Sequence, residues 1–125
     1  MESLVRLLKS VSDRNRLRIV AALSDCSELC ACQITEFLEV AGATVSRHLQ
    51  LLQQADLIES RKEGRWVYYR LKTASADREA ILAWLQGELV KCADIRRDRK
   101  KLRKITAIDT EELCRRQRGE KCCPR

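Results

Sequence analysis

Proline and glycine are scarce in this chain of 125 residues: the one proline is Pro124, and there are four glycines. So few helix-breaking residues favour helices over an all-β fold. No apolar run reaches membrane-spanning length, and the opening MESLVRLLKS lacks a signal-peptide pattern. The expectation is therefore a cytoplasmic chain with no membrane partner. His48 is the single histidine, so composition excludes a histidine-rich zinc site. Paired C-x-x-C knuckles are absent, which argues against a structural zinc protein. A thiol-dependent reductase would need C-x5-R, yet the residue six after Cys92 is Asp98 and no other cysteine has an arginine at that offset. With no glycine-rich loop either, the sequence argues against an enzyme.

What is abundant is positive charge and sulfur. Lys and Arg number 25 against 18 Asp and Glu, a formal charge of +7, with a sequence pI near 9.2. That balance suits a polyanionic partner. Seven cysteines in a cytosolic chain point to thiolate chemistry or buried thiols rather than a disulfide framework. The length fits one domain, with enough residues for a core but few enough to favour oligomerisation.

Hydrophobic spacing organises the chain. Leu4, Leu7, Leu8 and Val11 form an amphipathic N-terminal helix, and Ser12 or Asp13 is placed to cap a second helix from about Arg14 to Leu23. After a break at Asp25 to Ser27, a third helix is expected from Glu28 or Leu29 to Leu38, with a turn from Glu39 to Ala43 in which Gly42 is available for an unusual backbone angle. Val45, Leu49 and Leu52 then line one face of a helix, opposite Arg47, Gln50 and Gln54, with Ser46 at the margin. Leu57 to Arg61 and Trp66 to Leu71 read as two strands joined by Lys62-Glu63-Gly64-Arg65. Alternating Trp66, Tyr68 and Tyr69 suit cross-strand packing better than base stacking.

A polar-faced helix followed by a basic-tipped hairpin is a winged helix-turn-helix, mainly α with a small β-hairpin wing. On its exposed face Arg47 suits guanine and Gln50 suits adenine. Lys62 and Arg65 at the wing tip are placed for phosphates or the minor groove.

The C-terminal half begins with a long helix from Asp77, with Leu82, Leu85, Leu89 and Cys92 along one seam. With the N-terminal helix, this offers more apolar surface than one small domain needs and suggests a homodimer. The basic run Arg96 to Lys104 reads equally as a solvated face or a contact to DNA backbone. Asp109 to Arg118 suggests one more short helix, and Gly119 to Arg125 a mobile tail.

The stretch ATVSRHLQLLQQADLIESRKEGRWVYYRL, with SDRNRLRIV and ELCAC upstream, resembles the ArsR/SmtB family of metal-responsive bacterial repressors over roughly residues 4 to 95. ELCAC is most similar to the arsenic-responsive subgroup. The resemblance implies dimerisation through the N- and C-terminal helices, and DNA contacts from Thr44, Ser46, Arg47, His48 and Gln50. Thr44 and Ser46 suit either phosphate contacts or helix-start caps, and His48 lies close to the buried edge. Residues 1–95 would then form a DNA-binding and dimerisation domain, and 96–125 a basic, cysteine-containing extension. Two recognition helices would meet successive major grooves of double-stranded operator DNA, about 34 Å apart.

Within the same resemblance, Cys30 and Cys32 match the ligand pair of arsenite sensors. Soft thiolates select thiophilic ions, and a helix N-terminus favours thiolate formation. Residues two apart on an ideal helix point about 200° from each other, so gripping one ion would distort that turn. The resembled sensors carry a third cysteine where this chain has Thr35. Cys26, Cys114, Cys122 and Cys123 are the candidates for a third ligand unless the site stays two-coordinate, while Cys92 on the apolar seam reads as a buried hydrophobe. The implied function is a repressor that leaves its operator when As(III) or Sb(III) binds, with no organic cofactor. The alternative is a repressor of the same fold that senses redox, reactive sulfur species or another thiophilic metal.

Overall fold

The computed structural model describes residues 1–73 and 75–118, the last without its side chain, so Cys122, Cys123 and the expected mobile tail lie outside the described residues. The element order is α1 (Glu2–Ser10), α2 (Arg14–Asp25), β1 (Leu29–Cys30), α3 (Ala31–Leu38), α4 (Gly42–Gln54), β2 (Ile58–Glu63), β3 (Trp66–Leu71), α5 (Ala76–Leu89), α6 (Ala93–Thr106) and α7 (Thr110–Arg118). Asp13 caps α2 by accepting the Arg16 N–H at 3.1 Å. Val45, Leu49 and Leu52 turn inward from α4 against Ile19, Val20, Ile34 and Phe37 in one continuous core. Each such side chain removed from water contributes about 1.5–3 kcal/mol, enough to fix which face of α4 looks outward.

The sheet differs from the expected hairpin. It has three antiparallel strands in the order β1-β3-β2, because Leu29 and Cys30 pair with Tyr69 and Tyr68. Cys30 therefore stands in extended backbone as the N-cap of α3 rather than inside the helix. β2 also runs on to Glu63, leaving Gly64 and Arg65 as the turn and Lys62 within the strand, opposite Val67. Gly64 has φ +64°, the left-handed angle that a two-residue hairpin turn takes up without strain when glycine stands first.

Gly42 is not the residue in the unusual conformation. It opens α4, and Glu39 takes the left-handed angle as C-cap of α3. The apolar seam of α5 also faces inward. Leu85 and Leu89 pack on Ala21 and Ile95, and Leu82 joins the main core. Cys92, expected on that seam, is instead exposed, because α5 ends at Leu89 and Cys92 becomes the N-cap of α6. The large apolar side chains left outside are Met1, Leu4, Val5, Leu8, Trp84 and Val90. The basic run forms α6 with one face buried through Ile95, Asp98, Leu102 and Ile105.

Candidate DNA-reading surface and sulfur site

On α4 the inward stripe leaves Thr44, Ser46, Arg47 and Gln50 exposed on the outer surface. Ala41 is the N-cap and supplies no side-chain hydrogen bond, so neither Thr44 nor Ser46 serves as a cap. Among the described residues, Arg47 has no ion-pair partner, which leaves its guanidinium available to a phosphate or a guanine edge. His48 is on the other side of the helix and is buried. Its Nδ1 lies 3.1 Å from Arg16 Nη1, and its Nε2 lies 3.9 Å from Asp13 Oδ2. A guanidinium only donates, so Nδ1 accepts and the imidazole is the neutral Nε2–H tautomer. Burial first, and then the Arg16 charge, push its pKa down, with Asp13 opposing. His48 thus ties α4 to α2, and Arg16 extends the tie to α1 by donating to Ser10 O at 2.7 Å.

The wing is heavily ion-paired. Arg61 Nε and Nη2 donate to Glu28 at 2.6 and 2.8 Å, and Arg61 lies over the Tyr68 ring at 4.8 Å. This pair fastens the segment before β1 to the wing and holds the Glu28 carboxyl below the usual carboxylate range. Tyr69 is buried, and Trp66 and Tyr68 are half-buried, as packing residues should be. At the tip, Arg65 lies over Trp66, 5.0 Å from its centroid, and donates to Glu111 of α7 at 2.7 Å. Lys62 is exposed nearby.

The sulfur-bearing residues converge on the first turn of α3. Gln33 Oε1 accepts the Cys30 N–H at 2.9 Å, which anchors the bend between β1 and α3. Cys32 follows in the helix, buried, and its Sγ lies 2.7 Å from Cys114 Sγ on α7, although 82 residues separate them. Gln117 of α7 donates to Cys32 O at 2.9 Å and to Glu36 at 2.8 Å. Leu113 is fully buried beside them. Of the two third-sulfur candidates among the described residues, Cys26 and Cys114, the fold brings Cys114 to Cys32. Cys26 caps α2 elsewhere, and burial together with Asp25 pushes its thiol pKa up. Thr35 donates its hydroxyl to Ala31 O at 2.7 Å. Among the described residues, no group of three or more His, Cys, Asp or Glu side chains stands ready to hold a metal ion. Among the described residues two sulfurs, those of Cys32 and Cys114, are brought together.

Residues 13–60 match the family described as "Bacterial regulatory protein, arsR family". The chain is 43% identical over 67 residues to the "Arsenical resistance operon repressor" of Escherichia coli, which covers 54% of this chain and 57% of that protein. It is 44% identical over 64 residues to the "Cadmium resistance transcriptional regulatory protein CadC" of Listeria innocua, covering 51% and 54%. An "Arsenical resistance operon repressor" of Staphylococcus aureus is 38% identical over 76 residues, 61% of this chain and 72% of that one. The chain belongs to the arsR family of bacterial regulatory proteins. This is a family of DNA-binding regulators rather than enzymes. Its fold also matches the homodimeric winged helix-turn-helix DNA-binding domain of a possible ArsR-family regulator from Mycobacterium bovis, with a TM-score of 0.61 at 28% identity over 72% of this chain and 81% of that one. The chain spans little more than half the length of the first two relatives, 57% and 54%.

The arsR-family match at residues 13–60 contains Cys30, Cys32 and all of α4, but not α6 or α7. Cys114, Gln117 and Glu111 therefore lie outside it. Sequence reasoning named Cys114 among several candidates and missed Gln117 and Glu111. Both stand on a short polar helix where no local signal marks them, and only the docking of α7 reveals their partners.

Proposed function

We propose that this protein is a cytoplasmic, homodimeric repressor that binds operator DNA through α4 and the wing and leaves it when arsenite or antimonite engages its cysteines. Thr44, Ser46, Arg47 and Gln50 would meet the DNA from α4, Lys62 and Arg65 from the wing, and His48 would orient the reading helix from behind. The observation that supports the sensing half is the 2.7 Å approach of Cys114 on α7 to Cys32 on α3, the helix that leads into the reading helix. Cys30, one residue before α3, is the ligand expected to join it. Recruiting Cys30 would disturb the Gln33 bond at the bend, and that strain would pass along α3 to α4. Couplings of this kind are commonly about 1–3 kcal/mol. Exposed Leu4, Val5 and Leu8 on α1 and Trp84 on α5 support a dimer through the terminal helices. In this reading residues 1–95 bind DNA and dimerise, while 96–125 form the extension that supplies Cys114.

The same contact favours a second reading. Two sulfurs this close are also suited to reversible oxidation by peroxides or reactive sulfur species, and the cadmium-resistance relative leaves room for another thiophilic metal. The test is arsenite titration of the protein bound to a fluorescent operator duplex, followed by anisotropy. The native protein should be released, while Cys32→Ser and Cys30→Ser should stay bound. Release of all three would refute the α3 thiols as the sensor. Retention of the native protein under arsenite, with release and a loss of two mass units under mild peroxide, would establish the second reading instead.

A further inference from the structure

The helix that brings Cys114 to Cys32 also reaches the wing. One turn before Cys114, Glu111 accepts from Arg65 Nη2 at 2.7 Å. One turn after it, Gln117 holds the Cys32 carbonyl and Glu36. The short helix α7 therefore connects the sulfur pair at one end to the wing tip at the other, with Leu113 buried beneath it. Arg65 and Glu111 are both exposed, with side-chain accessibilities of 63% and 59%. An ion pair of this kind is weak and readily exchanged. It is the sort of contact that DNA displaces, because a phosphate accepts from the same guanidinium and the closely spaced charges of the duplex add their field to it.

We propose that α7 is a strap on the wing: Glu111 occupies the Arg65 guanidinium in competition with operator phosphate, and the Cys32 and Cys114 sulfurs anchor the strap that keeps it there. Glu111 is thus a residue that sets operator affinity without touching DNA. A thiophilic ion bridging the two sulfurs would hold α7 down and favour Glu111 over phosphate, which has the same sign as induction. The inference rests on the operator-binding reading above and adds a route from the sulfur site to the wing that does not pass through α4.

The test uses the full chain and a duplex that the native protein selects from a randomised pool, with affinity read by anisotropy at fixed salt. Glu111→Gln should tighten binding about two- to fivefold, the range an exposed ion pair supplies. Glu112→Gln is the control. It changes the net charge equally, but its carboxylate pairs with Arg115 and Arg116 on its own helix, so affinity should stay within error. In an Arg65→Ala background, Glu111→Gln should add nothing. Cys114→Ser should tighten binding in the same direction and not add to Glu111→Gln. Equal gains from Glu111→Gln and Glu112→Gln, or no gain from either, would overturn the strap, and full additivity with Cys114→Ser would overturn its sulfur anchor. Failure of the native protein to retain any duplex would refute the operator-binding reading itself, which separates the two failures.

Discussion

The two ends of α3 are held by opposite kinds of chemistry. At its C-terminal end, charge fixes the turn into α4. Arg18 donates to Asp98 through Nε and Nη2 at 2.8 and 2.9 Å and to Phe37 O at 3.3 Å. Lys101 donates to the same carbonyl at 3.2 Å and pairs with Glu39, the left-handed C-cap of α3. The Asp98 and Arg18 side chains are 7% and 18% accessible, so this pair works largely out of water. Among the described residues, the N-terminal end has no buried ion pair of that kind. It is held by the reciprocal capping contacts between Cys30 and Gln33, by β1, and by α7 through sulfur and amide contacts. A largely buried bidentate ion pair costs several kcal/mol to break and resists small perturbations. Sulfur is polarisable and changes its partners chemically, so the weaker end is also the one a soft ion can rearrange.

The comparison breaks most sharply at Asp98. Asp98→Ala leaves the Arg18 guanidinium without its carboxylate partner in a mostly buried position and should cost about 2–4 kcal/mol, the lower side of the range for a fully buried pair. Urea denaturation monitored by far-UV circular dichroism reads this directly, and a loss below about 0.5 kcal/mol would mean that the turn is not held by charge. Gln33→Ala sharpens the other side. It removes one neutral hydrogen bond and leaves the Cys30 N–H buried, which should cost about 1–2 kcal/mol. An effect as large as that of Asp98→Ala would erase the distinction between the two ends.

How much of this was legible follows from how far apart the partners are in sequence. The inward stripe Val45, Leu49 and Leu52 and the strand Trp66–Leu71 stand where local periodicity put them, whereas β2 begins one residue and ends two residues later than the expected Leu57 to Arg61. β1 was not legible, because two residues are too few to alternate and their pairing is fixed by β3 nearly forty positions later. Asp98 lies in a run that reads as a solvated basic face. Its burial depends on Arg18, 80 residues earlier, so no local window contains both charges. The closeness of Cys114 to Cys32 has the same origin. Sequence supplied both thiols as candidates, but choosing Cys114 over Cys26 needed the docking of α7. Glu39 in place of Gly42 as the left-handed residue has a physical reason too. Glu39 is the C-cap of α3, where the left-handed angle ends a helix, and Lys101 pairs with its side chain.

The smallest expected effect lies behind the reading helix and turns on pH. His48 is buried and accepts from Arg16, and its pKa lies below the ordinary 6.5 because burial and then the Arg16 charge disfavour the imidazolium. The unfolded chain holds this proton near pH 6.5, whereas the folded chain takes it up only at lower pH. Between those values the unfolded state binds more protons, so stability falls as pH drops below about 6.5 and the contribution is whole above it. His48→Gln keeps an acceptor for Arg16 but does not titrate. Its stability should therefore lie below or near that of the native protein at pH 7.5 and gain on it as the pH is lowered to 5.5. Thermal melts of both proteins across that range give the difference. Parallel curves would show that the imidazole titrates as if in water, and the buried Arg16 contact would then not be what holds α4 against α2. A convergence confined to the acid side would place this contact with the charge-held end of α3, since both fix α4 from behind while its outer face stays open.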